Sequence, residues 1–346
     1  MRGGEKVLES LCRLMPEADL FTLFYDPERV SPIIRERKGH ASFLNPLRRY
    51  HRSLLPLMPL ALEHFDLRDY DLVVSSESGP AKGVLVSARS RHVCYCHSPM
   101  RYLWELYPAY LHEWTRSGWK RACIAPVASW LRLWDYASAA RVDVFAANSD
   151  NVRQRIWRAY RREAEVVYPP VAVETFQWKP PEGYFLIVSE LVVHKQIDYA
   201  VRLAARTGLR LKIVGDGPEY RRLKNMAGPC VEFCGRVPDA DLRELYARGR
   251  ALILPGEEDF GIVAAESLAA GKPVIALGRG GACEIVPAAE PCGGILYAAA
   301  TEDDLAGALK DFDSLEPAIQ PRQLQSHAAR FSERRFLERM SPILKP

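Results

Sequence analysis

Two carboxylates flank a short glycine-containing turn in the second half of the chain. Glu258 and Glu266 are separated by seven residues, and Gly261 stands between them at the predicted start of a helix. The backbone N–H groups of Gly261, Ile262 and Val263 would point outward at the positive end of that helix, where phosphate binds readily. Carboxylates beside such a turn accept hydrogen bonds well from sugar hydroxyls. The alternative is that the glutamates before the turn only stabilise the helix N-terminus and that Glu266 is solvated.

The elements that position this turn are predicted from alternating patterns in the second half. Repeated βα units predict a doubly wound parallel sheet, whose ligands lie beyond the carboxyl ends of the strands. We therefore expect the functional residues of this half just after each strand. The predicted strands are 184–189, 211–215, 231–235, 251–256 and 273–278, and the predicted helices are 195–207, 218–227, 239–249 and 262–270.

The first half shows a similar pattern, but its first strand is missing. An amphipathic helix begins almost at the first residue, after a turn containing Gly3 and Gly4, whereas a βα domain normally opens with a strand before such a turn. We expect this domain to be one strand short, with an open sheet edge, or the native reading frame to extend upstream. The predicted strands are 19–24, 71–76, 92–96, 142–147 and 165–168.

A proline-rich stretch separates the two halves. Residues 168–183 contain four prolines, which suits a semi-rigid linker. We place a first domain at residues 1–174 and a second at 175–330. Residues 331–346 then form an amphipathic helix that we expect to pack back onto the first domain.

Charge and composition limit the classes of function. The chain has 346 residues, a high apolar fraction of 48% and a net charge of +4, which favours two globular domains over disorder. Residues 1–170 carry +6 and the remainder −2. The total charge is too weak for a protein that wraps nucleic acid, and we expect no nucleic-acid partner. The basic first half instead indicates an anionic surface partner.

The eight cysteines do not form a recognisable metal or disulfide framework. No CxxC pair is present, and Cys94 and Cys96 alternate on one face of a predicted strand. We interpret the cysteines as buried free thiols of a reducing cytosol. The chain also shows no ordinary signal peptide and no apolar run of membrane-spanning length.

Several motifs together resemble the retaining glycosyltransferases of family GT4, which have the two-domain GT-B fold. They are the two glutamates followed by GKPV at 271–274, together with VGDGPE at 214–219, FCGRVPDADLRELYARGRALILPGEEDFG at 233–261, ANSDNVRQRI at 147–156 and YCHSPMRYLWELY at 95–107. The resemblance covers nearly the whole chain. It implies two Rossmann-like domains facing a central cleft, and the last motif is similar to the subgroup whose donors are often GDP-mannose-like sugars.

The resemblance also implies roles for individual residues. Glu258 would bind the donor sugar, the amides from Phe260 to Val263 the diphosphate, and Glu266 the ribose. His97 would face the donor sugar near the reacting carbon, although a histidine after an apolar strand is more often structural. We count His97, Lys195 and Glu258 as the catalytic residues. The remaining predicted donor-binding residues are Ser189, Glu190, Gly215, Arg236 and Val237, and the predicted acceptor-binding residues are Gly3, Gly4, Arg101 and Tyr102.

One position departs from the family pattern. Family members carry an arginine after the first strand of the donor domain and a lysine a few residues later, and both cations bind the diphosphate. Here Lys195 is present, but Glu190 stands where the arginine is usual. Losing one charge-assisted contact costs about 1.5–3 kcal/mol, or roughly tenfold to a hundredfold in affinity. Arg236 is a candidate for the missing cation.

An aromatic and basic segment in the first half indicates a membrane surface. Five of the seven tryptophans lie within residues 101–135, among arginines and lysines. Such a mixture suits the headgroup layer of an anionic membrane, and the alternative is an ordinary pair of core helices. The tryptophans are Trp104, Trp114, Trp119, Trp130 and Trp134, and the cations are Arg116, Lys120, Arg121 and Arg132.

Taken together, these features predict a retaining hexosyltransferase. The donor would be a nucleotide diphosphate sugar, most simply GDP-mannose, and the acceptor a saccharide or lipid-linked saccharide of cell-envelope polysaccharide synthesis. We expect a cytoplasmic protein, peripheral on the inner face of the membrane, with no cofactor and no metal; Asp311 and Asp313 fall in a predicted solvated helix. The alternatives are a nucleotide-sugar epimerase of similar shape and a catalytically silent binding subunit.

Overall fold

The computed structural model describes residues 3–28, 30–115, 117–287 and 292–345. It divides the chain into two compact units. Unit 1 contains residues 1–169 and 336–346, and unit 2 contains residues 170–335. The division falls inside the proline-rich stretch, five residues before the predicted boundary at 174, and the end of the chain returns to unit 1.

Among its described residues before 170, unit 1 contains six α-helices and six strands. The helices are α1 (Gly3–Leu14), α2 (Pro32–Arg35), α3 (Met58–Glu63), α4 (Tyr107–Trp114), α5 (Gly118–Ser138) and α6 (Asp150–Tyr160). The strands are β1 (Leu20–Thr22), β2 (Gly39–Ala41), β3 (Leu72–Glu77), β4 (Arg91–Cys96), β5 (Val144–Ala147) and β6 (Ala164–Val166).

The strands of unit 1 form two parallel sheets. β1 pairs with β2, and a separate four-stranded sheet has the order β3-β4-β5-β6. Within the described residues, the first element is α1, which begins at Gly3, so Gly3 and Gly4 lie in the helix and not in the preceding turn that the sequence predicts. The sequence did not predict β2, whose three residues Gly39–Ala41 contain no β-branched residue.

Unit 2 is a doubly wound α/β sheet. Its strands are β7 (Phe185–Val188), β8 (Leu211–Val214), β9 (Val231–Gly235), β10 (Leu252–Leu254), β11 (Val274–Leu277) and β12 (Gly294–Tyr297). Its helices are α7 (Ile197–Thr207), α8 (Tyr220–Met226), α9 (Asp239–Arg248), α10 (Ile262–Ala269), α11 (Ala282–Ile285), α12 (Glu302–Leu315), α13 (Pro321–Ala328) and the first turn of α14 (Glu333–Leu344). The five strands and four helices predicted for this half are confirmed, whereas β12 was not predicted.

The strands of unit 2 are buried because helices cover the sheet. β10 and β11 are buried at every residue, which explains their continuous apolar sequences. α7 covers the sheet with its apolar face, which includes Ile197, Val201 and Leu203. Gly208 ends that helix in the left-handed conformation, with φ of 77°.

The C-terminal helix α14 contributes to the core of unit 1. Phe336 and Met340 are fully buried in a cluster with Val7 and Tyr95. The rings of Phe336 and Tyr95 meet edge to face, with 5.7 Å between their centroids. α14 therefore closes the core between α1 and the central strand β4.

The cysteine prediction is only partly right. All eight cysteines are free thiols, and Cys12, Cys94 and Cys96 are buried. Cys123 and Cys283 are exposed, which corrects the expectation of buried thiols throughout. Cys123 lies on the outer face of α5, and Cys283 lies on α11, a helix of one turn.

Candidate active site

The order of strands in unit 2 brings two functional loops together. The order is β12-β11-β10-β7-β8-β9, so the chain direction across the sheet reverses between β7 and β10. Ligands of such sheets bind beyond the carboxyl ends of the strands at this switch point. Lys195 follows β7 and Glu258 follows β10, and Lys195 Nζ lies 2.6 Å from Glu258 Oε2. About a fifth of each side chain is exposed, at 19% and 18%.

Glycines allow these loops to approach through their backbones. A Cβ atom on Gly256 would lie 2.7 Å from the carbonyl oxygen of Lys195, and one on Gly280 would lie 2.3 Å from that of Glu258. Both distances are too short for a side chain, so only glycine fits at either position. The amide of Gly281 also donates a 2.9 Å hydrogen bond to the Glu258 carbonyl. Glu258 is therefore fixed between two loops, and Lys195 lies against one of them.

The N-terminus of α10 lies directly beside Glu258. Gly261 caps this helix with φ of 92°, and its Cβ position would be 3.3 Å from the Cβ of Glu258. Phe260 is buried and meets the ring of Phe331 edge to face, at 5.5 Å between centroids. Ile262 and Val263 are half-buried in the first turn. The positive end of a helix, a lysine and a carboxylate thus meet in one place, which suits an anionic ligand that also carries hydroxyl groups.

Glu266 is buried in the protein. Only 3% of its surface is exposed, and its Oε2 accepts a 3.0 Å hydrogen bond from the hydroxyl of Tyr246 on α9. Burial, together with the charge of Glu266, raises the pKa of Tyr246 well above its ordinary value. The sequence reasoning missed Tyr246, because its spacing on α9 looks like that of any core residue. The ribose role of Glu266 stays a prediction.

Other predicted donor residues occupy the loops after β7, β8 and β9. Ser189 and Gly215 lie close together in space, since a Cβ on Gly215 would lie 1.9 Å from the Ser189 carbonyl oxygen. Glu190 is exposed on the same loop. Arg236 follows the edge strand β9, two strands from β7, and its Nε lies 4.0 Å from Asp216 Oδ2. That side chain is 80% exposed, and Val237 beside it is half-buried.

Unit 1 places His97 at the carboxyl end of β4. The His97 amide donates a 2.7 Å hydrogen bond to the Glu77 carbonyl, and the ring Nε2 lies 3.0 Å from the Ser76 hydroxyl oxygen. The Asn148 side chain donates a 2.9 Å hydrogen bond to the His97 carbonyl. A Cβ on Gly4 would lie 3.4 Å from the same Nε2 atom. The structure therefore brings together Gly4 and His97, which the sequence indicated separately, while Gly3 begins α1.

The other predicted acceptor residues lie in the turn between β4 and α4. The side chain of Arg101 is 15% exposed, and its Nη2 lies 3.9 Å from Glu105 Oε1. Tyr102 packs against Met100 and Leu103, and burial raises its pKa above the ordinary value. Both residues thus contribute to the packing of this turn.

Asp313, one of the two aspartates of the Asp-x-Asp pattern, is engaged in an ion pair. Asp313 Oδ1 accepts a 2.7 Å hydrogen bond from Arg250, and Asp311 is exposed on the same helix, α12. Within the described ranges, no group of three or more histidine, cysteine, aspartate or glutamate side chains could hold a metal ion. None of the helices in the described part of the chain has the length and apolar character needed to cross a bilayer.

Two parallel α/β units, with the N-terminus of a helix at the switch point of the second, are the architecture of the GT-B glycosyltransferases. Residues 1–175, just over half of the chain, match the family described as Glycosyltransferase Family 4, and residues 173–331 match the family described as Glycosyl transferases group 1. The chain belongs to glycosyltransferase family 4.

Individual relatives are similar over shorter regions. A GDP-mannose-dependent alpha-mannosyltransferase of Mycobacterium tuberculosis is 38% identical over 109 residues, which cover 31% of this chain and 28% of that protein. A protein of the same description from Mycolicibacterium smegmatis is 33% identical over 142 residues, or 40% and 34% of the two chains. The chain thus spans about a third of the length of the curated relatives it matches.

Solved structures extend the similarity of fold to the whole chain. The structure of Anabaena Alr3699/HepE in complex with UDP and glucose matches with a TM-score of 0.71 at 16% identity. The match covers 99% of this chain and 96% of that one. At this identity, the similarity shows the fold alone.

Proposed function

We propose that this protein is a retaining hexosyltransferase that uses a nucleotide diphosphate sugar. The observation that carries the proposal is the ion pair between Lys195 and Glu258 at the switch point, beside the N-terminus of α10. The lysine and the helix end suit a diphosphate, and the carboxylate suits the hydroxyl groups of a hexose. One ligand that contains both groups, a nucleotide sugar, satisfies all three features.

The residues of this site would act mainly by stabilising the leaving group. As the glycosidic bond breaks, negative charge grows on the diphosphate, and the ammonium of Lys195 and the amides from Phe260 to Val263 would stabilise it. Glu258 would accept hydrogen bonds from the sugar and orient it. The acceptor hydroxyl would then attack from the face that the diphosphate leaves, which retains the anomeric configuration. His97, by its resemblance to the family, is the residue of unit 1 that we assign to the sugar near the reacting carbon.

We further propose that the donor is GDP-mannose and that no metal is required. The printed descriptions of two relatives, both GDP-mannose-dependent alpha-mannosyltransferases, support this donor. UDP-glucose, which is bound in another structure of the HepE protein, is the competing donor. Lys195 and the end of α10 would supply the positive charge that a metal ion supplies to a diphosphate in other enzymes. Arg236 remains our candidate for a second cation, although it lies against Asp216 in this structure.

We propose a saccharide on a lipid carrier as the acceptor, with unit 1 resting on an anionic membrane from the cytoplasmic side. The outer face of α5 supports this proposal because it exposes large apolar side chains. Trp119 is 68% exposed, Trp130 is 48% exposed and Leu133 is 67% exposed. Their spacing of eleven and three residues places them on one face of the helix. Lys120 lies next to this face, over the ring of Trp119 at 5.6 Å.

The remaining members of the predicted aromatic segment are not equivalent. Trp134 is packed over Gly83 and donates a 3.0 Å hydrogen bond to Glu63. Trp104 donates a hydrogen bond to Asp135. These two residues belong to the core, so they correct the expectation that all five tryptophans form the membrane surface. Arg116 and the side chain of Trp114 lie outside the described residues.

A donor screen with the purified chain tests the proposed function. The chain would be incubated with GDP-mannose, UDP-glucose and UDP-N-acetylglucosamine in the presence of lipid-linked saccharides and EDTA. We expect transfer of mannose, with the product carrying the anomeric configuration of the donor in its NMR spectrum. Release of a free, altered sugar without an acceptor would indicate an epimerase. Nucleotide binding with no transfer from any donor would indicate a silent subunit, and either result would overturn the proposal.

A further inference from the structure

Three charged side chains of unit 1 are buried together outside the site described above. Lys82, Glu77 and Asp135 are 0%, 3% and 0% exposed. The ammonium of Lys82 pairs with Asp135 Oδ1 and lies 3.6 Å from Glu77 Oε1. The Lys82 amide donates a 2.7 Å hydrogen bond to Glu77 Oε2. Burying such a cluster is expensive, and apolar residues of the same volume commonly stabilise a fold at least as well. The cluster therefore calls for an explanation other than stability.

Asp135 is the centre of this cluster. Its Oδ1 accepts from Lys82, which follows β3. Its Oδ2 accepts a 2.7 Å hydrogen bond from the indole Nε1 of Trp104, in the turn after β4, and a 2.9 Å hydrogen bond from the hydroxyl of Tyr160, at the end of α6. One carboxylate on α5 thus joins three separate parts of unit 1.

The turn that contains Trp104 begins at His97 and contains Arg101 and Tyr102. Its first residue is tied to β3 by the 2.7 Å hydrogen bond from the His97 amide to the Glu77 carbonyl. Its other end is tied to α5 by two hydrogen bonds. One is the bond from Trp104 to Asp135, and the other is a 2.8 Å bond from Arg132 Nε to the Leu103 carbonyl. A turn held at both ends in this way has little freedom to change the position of the side chains between them.

We propose that Asp135 is a positioning residue for the turn of residues 97–106, and that it acts through Trp104. The consequence for turnover rests on the proposed function, because His97 and two of the four predicted acceptor-binding residues, Arg101 and Tyr102, lie on this turn. The charge of Asp135 makes its hydrogen bond to the indole stronger than a bond between neutral groups. Lys82 pairs with that carboxylate and orients it, which explains why a charged pair is retained in the core.

The test compares two variants, each of which removes one of the two hydrogen bonds that Asp135 Oδ2 accepts. Trp104→Phe removes the indole N–H and keeps an aromatic ring against Tyr160, whose centroid lies 6.1 Å away. Tyr160→Phe removes the phenol O–H, which belongs to α6 and not to the turn. We expect Trp104→Phe to lower kcat/KM for the acceptor at least tenfold, to leave the dissociation constant for GDP-mannose unchanged, and to speed amide hydrogen exchange in residues 98–106. Tyr160→Phe should stay within twofold of the wild type in all three measurements.

Amide hydrogen exchange tests the positioning role without any assay of transfer, so the failure of this proposal can be distinguished from the failure of the proposed function. If the wild type transfers no hexose, the proposed function fails, but faster exchange of the turn in Trp104→Phe alone would still support the positioning role. If Trp104→Phe does not fold, Asp135→Asn provides the second variant, since it keeps the shape and one acceptor oxygen. It should also speed exchange in the turn. Exchange and kinetics of Trp104→Phe or Asp135→Asn that match those of Tyr160→Phe would overturn the proposal.

Discussion

The ammonium of Lys195 lies 2.6 Å from the carboxylate of Glu258, although 63 residues separate the two in the chain. The pair forms because the strand order reverses between β7 and β10, which places the loops after both strands side by side. A nucleotide sugar would separate the pair, with its diphosphate on the lysine and its hydroxyl groups on the glutamate. In the proposed function, each charge would keep the other satisfied until the nucleotide sugar takes its place.

Replacing Gly256 by alanine should impair the donor site without unfolding unit 2. The new Cβ would lie 2.7 Å from the carbonyl oxygen of Lys195, so the loop carrying the lysine must move away from Glu258. We expect at least a tenfold loss of affinity for GDP-mannose in calorimetry. Gly307→Ala is the matched control, because a Cβ there meets nothing within 4 Å, and helical Gly→Ala changes tend to stabilise. Equal affinity of the two variants would argue against the loop contact as a determinant of the site.

The exposed face of α5 should determine binding to anionic lipid. Trp130→Ala removes a ring that is 48% exposed on this face, and Trp157→Ala removes one that is 47% exposed on α6. In pelleting with vesicles of phosphatidylglycerol and phosphatidylcholine, we expect Trp130→Ala to reduce binding severalfold and Trp157→Ala to leave it unchanged. Lys120→Glu combined with Arg121→Glu should also reduce binding, more strongly at low salt. The membrane proposal fails if the wild-type protein does not pellet with these vesicles.

Glu77 should make the stability of unit 1 depend on pH. Burial raises its pKa from an ordinary value of 4.5 to about 7, despite the opposing charge of Lys82; Asp135 raises it further. Between these values the folded state holds a proton that the unfolded chain releases, so the free energy of unfolding falls as the pH rises from about 4.5 to about 7. For one proton, the slope is at most about 1.4 kcal/mol per pH unit.

The measurement compares urea unfolding of the wild type and Glu77→Gln across this range. The difference in stability between the two proteins is needed because His92 also titrates in this range. Burial lowers the pKa of His92 from 6.5 to about 4, so His92 adds stability as the pH rises over nearly the same range. We expect the stability of Glu77→Gln, relative to the wild type, to increase steadily from pH 5 to pH 7. A difference that does not vary with pH would show that Glu77 is ionised in the folded protein throughout.

The sequence predicts the strands of unit 2 well, for a physical reason. Buried parallel strands read as continuous apolar runs. The family resemblance selected Lys195 and Glu258, and the structure places both in loops that follow such strands. The strands β2 and β12 escaped prediction, and length is not the reason, since β10 was predicted and also has only three residues. In β2, no alternating or continuous apolar pattern distinguishes Gly39–Ala41 from a loop.

The buried cluster of unit 1 could not be predicted, because its partners are distant in the chain. Lys82 and Asp135 are 53 residues apart, and a lysine or an aspartate in a sequence is most often solvated. Trp104 and Trp134 were likewise assigned to a surface, since a tryptophan near basic residues looks the same whether its indole N–H faces water or a buried carboxylate. Only the packing of α5 against the turn after β4 distinguishes an indole N–H that faces water from one that faces a buried carboxylate.

The most direct test of the central claim compares two lysines whose ion pairs with a glutamate have the same length. Lys179 pairs with Glu244 at 2.6 Å, as Lys195 pairs with Glu258, but it lies outside the switch point. Mannose transfer from GDP-mannose would be measured for the wild type, Lys195→Ala and Lys179→Ala. We predict that Lys195→Ala lowers kcat/KM at least tenfold, the loss of one charge-assisted contact or more, and that Lys179→Ala retains wild-type activity. Equal activity of the two variants would contradict the assignment of the donor site.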